Sequence, residues 1–316
     1  MIYYVKYRYK CNKIKTRMGC GASESRSVAK VLSTKENKFI CKLQSEEGDD
    51  MLIQPIGAFG ETSFPAKITY ESKKGRAYCM TSDKVYFSGG EDTLGEFGEI
   101  EINFSQRRTK VTFKQQMLCE RAFHHIATVN DGMLMVLGGM NKEKEGFLKN
   151  VEIYNVQKDQ WNSVAEMPEG KCGMGIASFK SRFVYCFGGY LNTRDVSNTI
   201  ECYDVLTNVW SGITLTEGAL NKRHGHMAMQ LNSNEILVFG GEKAEENTPT
   251  YVFNVEKKSM TKIEPLRKLE GIIAEIPLPV ARYKNRAYII DPQTRDCHVY
   301  SSENQTWNII NVYVST

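Results

Sequence analysis

With 316 residues, 41% hydrophobic, 25% charged and 10% aromatic, the chain has the composition of a globular protein with a sizeable core, and no stretch approaches the 18 or so apolar residues of a membrane span. Its formal charge of +4 comes from the start of the chain, where residues 1–17 hold six Lys and Arg side chains and no acidic one. The remaining body is close to neutral, which excludes a nucleic-acid-binding surface by charge. The nine cysteines are odd in number, scattered and never spaced C-x-x-C. They exclude a disulfide framework and a zinc site, and fit buried thiols in a reducing, cytoplasmic setting.

In chain order, residues 1–26 read as a basic, flexible segment. Within it Met18-Gly-Cys-Gly-Ala-Ser23 fits the N-myristoylation pattern, with Gly19 as acyl acceptor and Cys20 as a palmitoylation candidate. The motif works only if translation starts at Met18, and association with a membrane is expected only in that case. Its alternative is a Gly/Ser linker. The folded part is assigned to 27–316 and opens with strand-like pieces at Val28–Leu32, Lys38–Leu43 and Met51–Ile56.

A repeat then takes over. Apolar runs end in Gly-Gly at Lys84-Val-Tyr-Phe-Ser-Gly-Gly90, Leu134-Met-Val-Leu-Gly-Gly139, Val184-Tyr-Cys-Phe-Gly-Gly189 and Ile236-Leu-Val-Phe-Gly-Gly241, and their first glycines are 49, 50 and 52 residues apart. A fifth run, Ala287-Tyr-Ile-Ile-Asp-Pro292, follows 51 residues later without glycines. A second mark keeps the same phase: Tyr154 and Trp161, Tyr203 and Trp210, Phe253 and Met260, and Tyr300 and Trp307 are each seven residues apart, with Phe104 and Val111 the nearest match in the earliest unit. Glycine at a strand end permits positive φ and close approach of the next strand, and the aromatics are large enough to fill the gap between packed sheets.

These doublets and Tyr/Trp pairs, in units of about 50 residues over roughly 60–316, resemble the kelch repeats. The resemblance implies an all-β kelch-type β-propeller of four-stranded blades around a central channel. Six blades are expected, with seven as the alternative. The ring is expected to close by strands from Asn308–Val314 completing the N-terminal unit.

The resemblance also implies a protein-interaction scaffold or recognition module that binds a peptide or protein partner at the loop-lined mouth. Two loops per blade feed that mouth. The first holds Arg121-Ala-Phe123-His-His125, Lys171-Cys-Gly-Met174 and Arg223-His224-Gly-His226, each starting 17 residues before its doublet, and the second follows the doublets. The candidate partner-binding residues are Arg121, Phe123, Asn141, Lys171, Tyr190, Asn192, Arg223, His224 and Lys243. In the functional reading Arg121, Lys171 and Arg223 form a cationic ring that grips an acidic segment, with Tyr190 as anchor. In the alternative reading the charged groups merely bond a neighbouring blade's backbone.

His124, His125, His224 and His226 do not repeat as a ligand set, since Met174 stands where a third equivalent would be needed. No metal or cofactor site is therefore assigned. Nucleophile-elbow, Walker and dinucleotide motifs are absent from the sequence, and no catalytic residue is assigned. The alternative to a binding module is a kelch-fold enzyme acting on a small sugar-like molecule.

Overall fold

A computed structural model describes residues 39–44, 50–55, 64–67 and 75–311, the last stretch apart from 82–83, 104–105, 107, 131, 142–145, 193–194, 242–248, 265–279 and 291–295. Every regular element among them is a β-strand. The first three strands, β1 (Phe39–Gln44), β2 (Asp50–Pro55) and β3 (Phe64–Lys67), form a three-stranded antiparallel sheet. Blade 1 follows with β4 (Ala77–Met80), β5 (Lys84–Ser88), β6 (Phe97–Asn103) and β7 (Arg108–Phe113). Blade 2 contains β8 (His125–Asn130), β9 (Met133–Leu137), β10 (Val151–Asn155) and β11 (Gln160–Val164), and blade 3 β12 (Gly175–Phe179), β13 (Phe183–Phe187), β14 (Ile200–Asp204) and β15 (Val209–Gly212). Blade 4 contains β16 (Met227–Gln230), β17 (Glu235–Phe239), β18 (Thr250–Asn254) and β19 (Ser259–Ile263). Blade 5 contains β20 (Val280–Tyr283), β21 (Arg286–Ile290), β22 (Asp296–Ser301) and β23 (Thr306–Asn311).

Each blade is an up-and-down antiparallel sheet with its strands in chain order. The first strands of blades 1 to 4 lie side by side around the axis, β4 against β8, β8 against β12 and β12 against β16. The fold is the all-β propeller expected from the repeat, with two corrections. The described residues make five four-stranded blades rather than six, because the N-terminal strands pair as a three-stranded sheet that lies between β20 on one side and β7 on the other. Residues 308–311 do not complete that sheet. They belong to β23, which pairs with β22 because Trp307 must face Tyr300 in the register shared by the other blades.

Burial follows position along the radius. β12 and β16 are buried throughout and β8 nearly so, whereas β7 and β15 carry mostly exposed or half-exposed residues. The core lies between blades: Cys79, Tyr86 and Phe97 of blade 1 pack on Ile126, Leu134, Val136, Tyr154 and Trp161 of blade 2. Cys79, Cys172, Cys186, Cys202 and Cys297 are buried free thiols, and Cys119 is a partly exposed one.

Both repeated marks turn out to be blade junctions. The doublet glycines all have positive φ, and a Cβ on Gly138 would sit 2.4 Å from the Lys171 carbonyl oxygen of the next blade. Only glycine allows the second doublet N–H, that of Gly139, to donate to the same carbonyl at 2.8 Å; Gly189 repeats this bond to Arg223 at 2.8 Å.

Tyr154 and Trp161 face each other across β10 and β11, with ring centroids 4.9 Å apart. The Trp161 indole N–H donates to the carbonyl of Gln115 in the segment leading into its own blade, at 2.8 Å, and Trp210 does the same to Ala165 at 2.9 Å. In blade 4, where Met260 stands in the tryptophan's place, its backbone N–H donates instead to Glu217 at 2.9 Å. Trp161 is buried, whereas Trp210, large enough to fill the gap between sheets, is only half-buried. The equivalent pair in blade 1 is Ile100 opposite Val111, eleven residues apart, because β6 and β7 are longer; Phe104 lies outside the described residues.

Candidate functional site

The loops before the inner strands and those after the doublets meet at one mouth of the ring. Backbone pairing holds them there: Ala122 and Met140 exchange N–H···O bonds of 2.9 Å in both directions, and Cys172 and Tyr190 do so at 3.2 and 2.8 Å. From blade to blade, Phe123 N–H donates to Gly75 O and Gly225 N–H to Gly173 O, both at 2.7 Å.

The three cations expected to ring this mouth are withdrawn from it. Arg121, Lys171 and Arg223 are 0%, 1% and 2% exposed, which corrects the cationic-ring expectation. Arg121 Nη2 meets Glu152 Oε1 at 2.5 Å, while Nε donates to the carbonyl of Cys119 and Nη1 to those of Gly138 and Asn150 in the same blade. Glu152 in turn accepts the N–H groups of Leu118 and Cys119. Lys171 Nζ lies 2.8 Å from both carboxylate oxygens of Glu201 and from Thr199 Oγ1. A buried charge is tolerated only when paired and hydrogen-bonded, and these two are.

Arg223 breaks the pattern. Strand register places Tyr251 where blades 2 and 3 have Glu152 and Glu201. The guanidinium lies over the Tyr251 ring, 4.9 Å from its centroid, and donates to Pro249 O at 2.7 Å, while Nε and Nη1 find no hydrogen-bond partner among the described residues. Burial lowers its pKa to about 10, and Tyr251 offsets part of that desolvation.

Among the described residues the accessible groups at the mouth are mixed: Asp92, Asn192 and Asp195 are exposed, and Glu91 is partly so. Phe123 is partly exposed, and Met140 is exposed. Tyr190 stacks on His224 with centroids 3.9 Å apart, and its hydroxyl is 2.9 Å from His224 Nε2. Burial pushes the His224 pKa down to about 4, so this imidazole is neutral at physiological pH. Asn192 is exposed and closes a local turn with Asp195, whereas Asn141 is buried and bonds Glu120 O at 2.9 Å. Lys243, and the lipidation residues Gly19 and Cys20, lie outside the described residues.

Two other histidines are structural partners. His124 Nε2 lies 2.7 Å from Ser88 Oγ, and His226 Nε2 accepts the Gly175 N–H at 3.1 Å. Among the described residues no three His, Cys, Asp or Glu side chains converge as a metal site. Sequence reasoning missed Glu152, Glu201 and Tyr251, although an available signal existed: each stands two residues before the repeated Tyr154, Tyr203 or Phe253.

Comparison with known proteins agrees with this architecture. Residues 75–291 match the model of the KLHDC2/KLHL20/DRC7 Kelch-repeats domain. The chain is 27% identical to Kelch-like protein 40 of Xenopus laevis over 62% of its length, 27% identical to Kelch-like protein 36 of Mus musculus over 78%, and 29% identical to alpha-scruin of Limulus polyphemus over 52%. Those matches cover 31%, 41% and 18% of the respective relatives, so the chain spans less than half of each. Doublet-built junctions, Tyr/Trp pairs and a family match over more than half of its residues together show that the chain belongs to the kelch-repeat β-propeller family.

Proposed function

We propose that this propeller is a non-catalytic recognition module that binds a protein partner at the mouth lined by the doublet loops. The observation that carries this is the convergence of backbone-locked loops from successive blades on a surface that presents Phe123, Met140 and Tyr190. Rigid loops carrying amphipathic and apolar anchors suit protein recognition, because little conformational entropy is lost on binding. Membership of a family that includes Kelch-like proteins and scruins supports the same reading. The partner reaches the loops' apolar groups rather than the buried cations, so the proposed contact set is Phe123, Met140, Tyr190 and Asn192 with the edge of His224.

The test is affinity purification with quantitative mass spectrometry, comparing wild type with a Met140→Glu, Tyr190→Ala double variant. The expected result is loss of specific co-purifying proteins at unchanged Tm. An identical set of partners at equal recovery removes the mouth from the proposal. The same reading takes the chain to act in the cytoplasm, with membrane recruitment only through Gly19 and Cys20 in a chain that starts at Met18, as the pattern Met18–Ser23 suggests.

A further inference from the structure

Each blade ends on an outer strand with no hydrogen-bonded strand beyond it among the described residues. Sheets protect such edges with charge, proline or bulges. β7 carries Arg108 and Lys110, and β19 carries Lys262 and follows Lys257 and Lys258. The exposed residues of β11, Gln160, Asn162 and Ser163, are polar. β15 has none of this protection. It lies within Val205–Thr216, twelve residues without a charge. Val209 is 54% exposed on the strand, and Leu206 is 75% exposed at the tip of the hairpin that leads into it. β23 is uncharged too, but sets Ile309 where β15 has Gly212.

Gly212 is the second signal. It is not among the residues with positive φ, and a Cβ there would meet no heavy atom within 4 Å, so neither backbone angle nor crowding calls for glycine. Glycine weakens a strand, and one that the fold does not need marks a place where another backbone approaches. The Ile213 N–H donates to Ile200 O at 2.8 Å. By antiparallel alternation Val209, Ser211 and Ile213 therefore bond β14, while Trp210 and Gly212 turn N–H and C=O to the free edge.

We propose that β15 is a self-association edge, on which a second copy of this chain docks its own β15 antiparallel to the first about a two-fold axis at Ser211. Outward residues must bond outward residues, and pairing Trp210 with Gly212 of the second copy sets the bulkiest side chain of the strand opposite none. On the other face Val209 meets Ile213 of the second copy, and Ser211 meets its own equivalent. The strand is thus complementary to itself, a match that an unrelated partner would have to reproduce. Two uncharged runs bring no like charges together, and Asp204 at their start is already paired with Arg182. None of these residues belongs to the mouth loops, so this inference stands apart from mouth binding, and a dimer presents two mouths.

Sedimentation equilibrium of the full chain, at up to about 100 μM, is compared with that of Val209→Lys and Ile309→Lys. Ser211→Cys, Asn162→Cys and wild type are treated with diamide, and cross-linked dimer is measured on non-reducing gels. The expected result is a reversible wild-type dimer, weakened at least about tenfold by Val209→Lys and unchanged by Ile309→Lys. Ser211→Cys should cross-link, since a non-hydrogen-bonded antiparallel pair holds its Cα atoms about 4.5 Å apart, within disulfide reach. Asn162→Cys, exposed on the edge of blade 2, should give no more cross-linked dimer than wild type. A wild type that is monomeric at every concentration overturns the proposal, as does a Val209→Lys that dimerises equally well. Ser211→Cys that cross-links no more than Asn162→Cys overturns it too. That cross-link decides alone if Val209→Lys fails to fold, because Ser211 is exposed and cysteine is close to it in size.

Discussion

Arg121 and Glu152 form an ion pair wholly inside blade 2, with Nη2 and Oε1 2.5 Å apart and side-chain exposures of 0% and 1%. The carboxylate also receives the Leu118 and Cys119 N–H groups, so it binds the loop that enters the blade as well as the guanidinium. Lys171 and Glu201 repeat the device in blade 3. These cations fix where a loop leaves the mouth and enters its blade.

Breaking that pair from one side leaves a buried charge uncompensated. Glu152→Ala should therefore cost about 3–5 kcal/mol, whereas the double variant Arg121→Met, Glu152→Leu should cost clearly less than Glu152→Ala alone. Arg223, which meets no carboxylate among the described residues, should behave differently: Arg223→Met removes an already desolvated cation and should cost about 1 kcal/mol or less. Urea denaturation monitored by tryptophan fluorescence measures all three. An Arg223→Met cost equal to that of Glu152→Ala contradicts the distinction between blades.

The tryptophans should rank by enclosure. Trp161 is buried and packs on Phe97 at 4.8 Å between centroids, so Trp161→Ala should cost about 3–5 kcal/mol. Trp210 is half-buried and its replacement by Ala should cost less. Trp161→Phe retains most of the packing but strands the Gln115 carbonyl, at about 1 kcal/mol. Differential scanning calorimetry on the three variants gives the order, and equal losses at 161 and 210 would refute it.

Acid should loosen the fold through histidines. His224 is held at about 4 by burial, and His124 is held well below the ordinary range by burial, then by Arg121 and Arg76. Both are thus depressed relative to an unfolded value near 6.5. The unfolded chain binds protons first as pH falls, so this stability is fully present above about pH 6.5 and declines below it, for His224 until about pH 4. Each histidine contributes a slope of about 1.4 kcal/mol per pH unit over its window. Tm measured from pH 8 to 4.5 should be flat and then fall, and His224→Gln should flatten part of the fall. A Tm that holds constant down to pH 5 runs against this account.

Intact-mass analysis of the endogenous protein tests the lipid anchor. A chain that starts at Met18 should carry myristate on Gly19, and Gly19→Ala should move it to the soluble fraction. Cys20→Ser should weaken retention while leaving the myristate in place. An N-terminus at Met1, or an unmodified Gly19, removes the anchor.

The architecture was legible because its signals are local and obligatory. Gly138 cannot be replaced without a clash against Lys171 O, and Tyr154 cannot face Trp161 except at a fixed hairpin spacing, so both leave a periodic trace. The fate of the cations was less legible. Arg121 finds its acid 31 residues downstream, and the pairing becomes apparent only once β9 and β10 are placed in register. Blade number was misjudged because a period counts units and does not say how many strands each unit contributes.

The junctions between blades are fastened at both ends by bonds of opposite sense. Near the axis, Gly139 N–H reaches forward to Lys171 of the following blade, and at the rim Trp210 N–H reaches back to Ala165 in the segment arriving from the preceding one. A blade with only one neighbour would leave either its forward or its backward donors to water. Such sheets are not autonomous modules that evolution can trim or append one at a time. Deleting one from the middle demands that two surfaces never selected for each other make both bonds at once, which favours inheritance of the ring as a whole.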